Sequence, residues 1–387
     1  MSDSSETALE RLKGVYFRNE QMRRLPLEAW ERALQAGKLR ALAGTKHPLF
    51  RLRRDFRGFA AGTVFGPGIT LPGFPHIPRL FRLSTGVPRY FRKPFFAEEK
   101  IEGYNVRLFR IGGEILALTR RGFICPFATD RFPDFLPDLP RFLDDHPDLC
   151  VCAEVAGPGN PFVGEWPPYI REDVRFFVFD LMKVPEGRLL PPEEKYALLE
   201  AYGFPRPEIH GPFEPGAPEP LLDLLRRYEA EGREGVVLKE SGGGTYLKYA
   251  TPASHLEDLR VVFPYLGDVP PEYLTHRLVR YVLSRWELAG SLSGEEWSEV
   301  GRRLLAPLSE LLRRVDEGEP VTEAFRLRFR TERALRALLA HFRHARVKVE
   351  VRKVEEKEGY LVVELIKIYP RATAFWKQKL EGFAVVD

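Results

Sequence analysis

The chain has 387 residues, 44% of them hydrophobic and 29% charged, with a formal net charge of only +4. That length exceeds one ordinary core, so two to four domains are expected, and the composition is that of a globular protein in water. The small net charge excludes nucleic-acid binding by global charge and leaves only local stripes, such as Arg51-Leu52-Arg53-Arg54 and Arg326-Leu327-Arg328-Phe329-Arg330, whose plainer reading is a solvated face.

Residues 8–42 read as a helical start, with Ala29, Leu34 and Leu39 among the apolar positions. From Phe50 to Tyr90 short apolar pieces alternate with turn signals, Gly66-Pro67-Gly68 and Leu71-Pro72-Gly73-Phe74-Pro75, so residues 1–92 are expected to form a helix plus a β-rich module. Strands are expected at Tyr104–Ile111, Ile115–Thr119, Cys150–Ala156, Val174–Asp180, Gly235–Lys239 and Thr245–Tyr249. Helices at Pro192–Tyr202 and Glu219–Glu231 lie among them. Residues 93–251 thus read as an α+β unit with mostly antiparallel strands.

Helical periodicity marks Leu256–Phe263, Tyr273–Leu288, Glu295–Val315 and Thr322–Phe342, and a strand pair follows at Arg346–Val354 and Tyr360–Tyr369. Boundaries are therefore expected at Pro252 and near 318, giving a helical unit over 252–318 and a C-terminal α/β unit over 319–387. Cys125, Cys150 and Cys152 form neither an even disulfide set nor a metal quartet, which points to a reducing compartment, with Cys150 and Cys152 on one strand face as small core residues. The polar start Met1-Ser2-Asp3-Ser4-Ser5-Glu6 lacks signal-peptide architecture and no apolar run reaches spanning length, so a cytoplasmic protein without membrane contact is expected. Scarce methionine, abundant proline and many charges suit a thermophile.

Chemistry concentrates at Lys100-Ile101-Glu102-Gly103-Tyr104-Asn105-Val106-Arg107. A lysine between two alternating apolar stretches, followed by an acid and a glycine, reads as a lysine meant to react. Its amine is a nucleophile only when neutral. With a free pKa of roughly 10.4, acting near neutral pH means overcoming roughly 4 kcal/mol, which a neighbouring cation or metal would supply. Arg120-Arg121 follow a hairpin turning at Gly112-Gly113, and guanidinium forks suit phosphate oxygens. Glu154 follows an apolar strand; Phe176-Phe177-Val178-Phe179-Asp180 ends in an aromatic and an acid.

The runs Glu234-Gly235-Val236-Val237-Leu238-Lys239 and Tyr246-Leu247-Lys248-Tyr249 flank Ser241-Gly242-Gly243-Gly244. Those glycines lack a P-loop's closing lysine and hydroxyl, so a hairpin turn is expected that sets Glu234, Lys239 and Lys248 in neighbouring strands. His341 and His344, one turn apart, have no third ligand in view and read as a surface or packed pair.

From Lys100 to Lys248 these strings resemble the covalent nucleotidyltransferases: ATP-dependent DNA and RNA ligases and messenger-RNA capping enzymes. In that superfamily the lysine of a Lys-x-x-Gly motif attacks the α-phosphate of a nucleotide and retains the monophosphate as a phosphoramidate. Lys100-Ile101-Glu102-Gly103 fits the motif, and Asn105 is of the RNA-ligase type. The layout, with no OB-like run of strands after Pro252, resembles the archaeal-type homodimeric RNA ligases. The resemblance implies an antiparallel-sheet, ATP-grasp-like nucleotidyltransferase domain with an N-terminal β-rich module and helical C-terminal modules, the helices over 256–315 serving dimerisation.

It further implies Lys100 as nucleophile, the backbone of Glu98 and Glu99 against adenine, and Asn105 and Arg120 on ribose and phosphate. Glu154 would contact ribose, Phe179 would stack on adenine, and Lys239 and Lys248 would hold the α-phosphate. Asp180 and Glu234 would stand near the water shell of Mg²⁺ or Mn²⁺. Relatives carry Lys-x-Lys in the last motif where Tyr246 stands here, which leaves the role of Tyr246 open. The implied activity is ATP-dependent joining or circularising of RNA with 5′-phosphate and 3′-hydroxyl ends. A DNA ligase, a GTP-using capping enzyme and a non-catalytic RNA-binding protein are the alternatives.

Overall fold

The computed structural model describes residues 2–43, 45–262, 265, 269–270 and 272–383. Helices α1 (Ser2–Tyr16) and α2 (Leu27–Gln35), linked through a 3-10 turn at Met22–Arg24, precede β1 (Leu39–Leu42), β2 (Leu49–Leu52), β3 (Val64–Gly66) and β4 (Ile69–Leu71). These strands form one antiparallel sheet in chain order. The helical start expected over 8–42 is present as two helices and ends at Gln35, short of its expected limit. Pro26 starts α2, and Gly37, at a φ of 66°, turns the chain into a strand that contains Leu39. Trp30 anchors this part, fully buried against Phe56, Phe59 and Phe65.

Next come α3 (Leu83–Tyr90), β5 (Phe95–Glu99), β6 (Tyr104–Ile111), β7 (Glu114–Thr119), α4 (Pro126–Phe135), α5 (Leu139–Asp145), β8 (Leu149–Ala156) and β9 (Arg175–Lys183). Then follow α6 (Pro192–Ala201), β10 (Ile209–Phe213), α7 (Glu219–Ala230), β11 (Gly235–Glu240) and β12 (Tyr246–Ala250). Every expected strand of this stretch is present. Helix α3 corrects the β-rich reading of residues 50–90 at its end. Two four-stranded antiparallel sheets result, ordered β7-β6-β8-β9 and β10-β5-β11-β12.

The β6–β7 hairpin turns on two residues, Gly112 and Gly113, both at positive φ (55° and 84°), as a two-residue turn of that hand requires. A similar glycine turn, not a phosphate cradle, joins β11 to β12, with Glu240 N donating to Thr245 O at 3.0 Å. Free Cys150 and Cys152 lie together in the apolar layer between the first two sheets.

The remainder comprises α8 (Pro252–Val262), α9 (Glu272–Ala289), α10 (Gly294–Asp316), β13 (Thr322–Phe329), α11 (Glu332–His344), β14 (Lys348–Lys357), β15 (Tyr360–Ile368) and α12 (Pro370–Leu380). Phe263, the expected end of α8, lies outside the described residues. Helix α10 begins with a full capping box between Ser293 and Glu296. The single helix expected over 322–342 is wrong in its first half. Phe325, Leu327 and Phe329 alternate with exposed or half-exposed residues, a period of two, and the helix starts only after Thr331 caps Ala334 N.

Two buried devices fix these parts to the central sheets. Arg131 of α4 donates to Arg328 O at 2.9 Å and pairs with Asp173 and Asp134, both at 2.8 Å. The arginines of the 326–330 run are paired with acids, so they are not a free nucleic-acid stripe. The Glu287 carboxylate of α9 accepts from Leu83 N and Ser84 N, both at 2.8 Å, and so caps the otherwise unsatisfied amides of α3. His341 packs edge-on against Phe123, with ring centroids 5.5 Å apart. No helix among the described residues is long and apolar enough to cross a membrane.

Phe329, fully buried, meets Phe127 edge-on at 5.6 Å and so joins β13 to α4. Phe329→Ala is expected to lower unfolding free energy by about 3–5 kcal/mol, read from urea unfolding; a loss below about 1 kcal/mol would contradict this packing.

Candidate active site

Alternation along one sheet decides what faces the site. Phe95, Ala97, Val236, Leu238, Leu247 and Tyr249 turn into the apolar layer with α3 and α7. The register then leaves Phe96 and Glu98 of β5, Val237 and Lys239 of β11, and Tyr246 and Lys248 of β12 on the opposite face. Lys100 follows β5 directly, its amide held by Gly235 O at 2.8 Å. Gly103 is required because a Cβ there would come within 2.6 Å of Val155 O. The Lys-x-x-Gly spacing thus lets the chain pass β8 closely as it enters β6.

The Lys100 ammonium pairs with Glu234 Oε1. Burial disfavours its charge, but Glu234, Glu102 and Glu154 outweigh burial and hold its pKa above the ordinary lysine value. Burial lifts Glu154 to about 8 against the pull of Lys100, and burial with Glu234 nearby lifts Glu102 well above the carboxylate range. The free site is thus rich in acid around its lysine. Glu234 Oε2 and Asn105 Oδ1 are buried without a hydrogen-bond partner. Asn105 and Glu154 are direct partners across β6 and β8, so the structure brings both together with Lys100 and Glu234.

Lys239 stands differently from a free phosphate ligand. Its ammonium contacts Asp180 Oδ1, Glu98 Oε2 and Phe179 O, each at 2.8 Å. Lys195 of α6 pairs with the same Glu98, reaches Phe179 O at 2.7 Å and lies 3.6 Å from Asp180. Tyr196 OH adds a bond to Glu98 at 2.7 Å. Burial opposes the Glu98 charge, yet Lys195 and Lys239 hold its carboxyl below the usual range. Burial depresses Lys195 to about 8. Two acids and two lysines thus form a dry, neutral knot that ties β5, β9, β11 and α6 together.

The extra residue that puts Phe179 beside Asp180 is a bulge in β9: Val178 pairs with Ala153 and Asp180 with Cys152, leaving Phe179 unmatched. Phe179 is half-buried, edge-on to Phe74 at 5.5 Å. Glu99 faces away from Glu98, bonded to Tyr169 OH at 2.8 Å and Arg233 at 3.1 Å, with its amide already donating to Glu208 O. Arg120 is exposed just beyond β7. Tyr246 OH donates to Leu190 O at 3.2 Å, and its ring lies 5.9 Å from the Lys239 ammonium.

Sequence reasoning missed Lys195, whose only signal is that it shares the buried face of α6 with Pro192 and Leu199. It also missed Arg79, which bridges to Lys248, and His255, Asp258, Arg277 and Arg280 of α8 and α9. Burial, then Arg79, Lys100 and Arg120, depress Lys248 to about 8.

No metal-holding set of three or more carboxylate, histidine or cysteine side chains is preassembled among the described residues. The donors nevertheless fit a hard divalent ion, because Glu234 Oε2 is an orphaned buried carboxylate oxygen with further acids beside it. Such ions are held by one or two carboxylates together with substrate phosphates. Asp180 fits less directly, since Lys239 occupies its Oδ1. Removing one cation from the buried knot should be costly: Lys195→Met is expected to lose about 3–5 kcal/mol of stability, and chemical unfolding that shows under about 1 kcal/mol would contradict the ion-pair account.

Residues 93–250 match the family model described as RNA ligase, and residues 261–383 match that of the ligase Pab1020 C-terminal region. A protein of Methanocaldococcus jannaschii described as uncharacterized is 30% identical over 344 residues, 82% of this chain and 83% of that one. A solved putative ATP-dependent DNA ligase from Aquifex aeolicus is 36% identical, with a TM-score of 0.88 over 93% of this chain and 100% of that one. An archaeal ATP-dependent RNA ligase, solved in two forms, is 29% identical, with a TM-score of 0.86 over 97% of this chain and 99% of its own. With the strand order, the Lys100 site and both halves of the sequence in agreement, the chain belongs to the archaeal-type ATP-dependent RNA ligase family.

Proposed function

We propose that this ATP-dependent ligase joins RNA 5′-phosphate and 3′-hydroxyl ends, linear or circular, through lysyl-AMP and RNA-adenylate intermediates. The observation that carries the reading is Lys100 at the end of β5, paired with Glu234 and set beside a Lys248 whose ammonium has no partner among the described residues. In the first step Lys100 loses a proton and its amine attacks the α-phosphate of ATP, the Pα–O bond to the β-phosphate breaks, and pyrophosphate leaves. AMP then passes to an RNA 5′-phosphate, and attack by a 3′-hydroxyl releases it.

Charge grows on the α-phosphate oxygens during attack, and preorganised cations lower that barrier. Lys248 supplies such a charge on the sheet face that Lys100 follows. Glu234 accepts from the Lys100 ammonium and holds it in place before deprotonation. A divalent ion, Mg²⁺ or Mn²⁺, would be held by Glu234, with Asp180 through water, and would supply positive charge at the phosphates. By the family resemblance we assign Asn105, Glu154 and Arg120 to ribose and phosphate, Phe179 to the adenine ring, and the backbone at Glu98 and Glu99 to the adenine edge, where the Glu99 carbonyl rather than its sheet-bonded amide would serve. Lys239 supports this site by holding Asp180 and Phe179 in position, and reaches the α-phosphate only by leaving that pairing.

RNA is favoured over DNA by family membership and by Asn105. The Aquifex aeolicus relative, described as a putative DNA ligase, keeps the second substrate in view. Incubation with α-labelled ATP is expected to label the wild-type protein and not Lys100→Ala. Label retained by Lys100→Ala, or a preference for GTP, would refute the assignment. A chase with 5′-phosphorylated RNA and DNA separates the two substrates, with RNA expected to take up AMP.

The helices over 272–316 expose Leu278, Val279, Val282 and Trp286 of α9 and Trp297 and Leu305 of α10. Large apolar groups exposed on both helices suit association, and we assign them to a homodimer interface. Sedimentation at micromolar protein is expected to give a dimer that Trp297→Glu with Leu305→Glu converts to monomer; a monomeric wild type would remove the assignment.

A further inference from the structure

Arg79, Lys248, Arg120, His255 and Arg280 come from distant stretches of chain, and among the described residues none of their side chains meets an acid. Arg79 is locked beside Lys248, because Leu80 N donates to Lys248 O and Lys248 N to Pro78 O, each at 2.9 Å. Arg280 arrives on α9, which Glu287 pins to the start of α3 just beyond Arg79. His255, 3% exposed, projects from α8. Arg277, by contrast, is neutralised by Asp258 at 2.7 Å.

Three buried atoms in this cluster lack any hydrogen-bond partner: Arg79 Nη1, Arg280 Nε and His255 Nδ1. Each unsatisfied buried donor costs about 1–3 kcal/mol, and the guanidinium charges also repel one another. Arg79, Arg280, Arg277 and Lys100 all act on His255 which, with burial as the largest cause, falls to about 3 and is a neutral ring at physiological pH. Buried polar groups are nearly always paired with protein, water or an ion, and a cluster of this sign, gathered from three parts of the chain, suits an anion of high charge.

We propose that Arg79 and Arg280, with His255 beside them, form a second phosphate subsite that takes the β- and γ-phosphates of ATP and holds pyrophosphate as it leaves. The inference rests on the ligase reading above. The subsite adjoins Lys248, where the α-phosphate is placed, so a phosphate chain continues onto it. In the step concerned, the Lys100 Nζ–Pα bond forms and the Pα–O bond to the β-phosphate breaks. The bond's electron pair leaves on pyrophosphate, and Lys100 gives up two protons to solvent, one before attack and one after. Charge therefore accumulates on the leaving oxygen, where Arg79 and Arg280 would meet it. The other phosphate that visits this site, the RNA 5′-phosphate, carries less charge and comes only after pyrophosphate has gone.

The test uses the full chain carrying Lys100→Ala, which binds nucleotide without reacting. Calorimetric titration with ATP, pyrophosphate and AMP in Mg²⁺ is compared with and without Arg280→Gln. ATP and pyrophosphate affinity are expected to fall about tenfold or more while AMP affinity is kept, and Arg280→Lys should recover part of the loss. Thermal melting confirms the fold, and Arg79→Gln serves as the second variant. In a separate arm, pre-adenylated Arg280→Gln with native Lys100 should pass AMP to 5′-phosphorylated RNA at the wild-type rate.

Unchanged ATP affinity, equal loss for AMP, or slowed AMP transfer with ATP affinity intact would each overturn the proposal; the last would place the RNA 5′-phosphate there instead. A wild-type protein that forms no labelled adduct would sink the ligase reading, and leave the pyrophosphate titration as an independent result.

Discussion

The structure depends on one ion pair, Lys100 with Glu234, and on the charge imbalance around it. On one side Glu102 and Glu154 join Glu234 and keep the lysine protonated. On the other, the side chains of Arg79, Arg120 and Lys248 have no ion-pair partner among the described residues, and the arginines and Lys100 press on Lys248. At effective interior dielectrics, like charges this close oppose one another by amounts that matter for both binding and protonation. In the proposed reading a polyphosphate with its metal would correct both sides together, Glu234 helping to hold the metal and the cations meeting the phosphates, and reactivity would be conditional on substrate. The lysine has no reason to be neutral until the nucleotide arrives.

The scaffold keeps this imbalance in place. Glu98, Asp180, Lys195 and Lys239 cancel among themselves and fasten β5 and β11 to β9 and α6 without adding net charge. Arg107, the last residue of the reactive octapeptide, is fully buried and donates to Gly62 O and Thr119 O at 2.9 and 3.1 Å, which ties the N-terminal sheet to the site strands. Glu287 brings α9 against α3, so the basic face of the helical segment completes the cluster beside Lys248. Buried ion pairs add little to stability on balance. Their value here is positional.

Much of the site was legible because strand alternation and turn chemistry are local. Gly112-Gly113 and Ser241-Gly242-Gly243-Gly244 marked hairpins, and the second of these set Lys239 and Lys248 in neighbouring strands, as the register shows. What failed was tertiary. Nothing near Lys239 in sequence announces that Asp180 and Glu98 will enclose it, and Lys195 reads as an ordinary helix lysine. Arg79, His255 and Arg280 are about 200 residues apart at the extremes and meet only through a backbone bridge and a capped helix. The strand at Thr322–Phe329 was misread because its arginines obscured the alternation of Phe325, Leu327 and Phe329.

The most direct test is the protonation of Lys100 itself. NMR titration of ¹³C-labelled lysines in the free protein, with Lys100 assigned from the Lys100→Arg spectrum, reads it site by site. The account predicts that Lys100 titrates above the ordinary lysine value while no nucleotide is bound. A midpoint near neutral pH in the free protein would contradict it, and would mean that the site activates its nucleophile before any phosphate arrives.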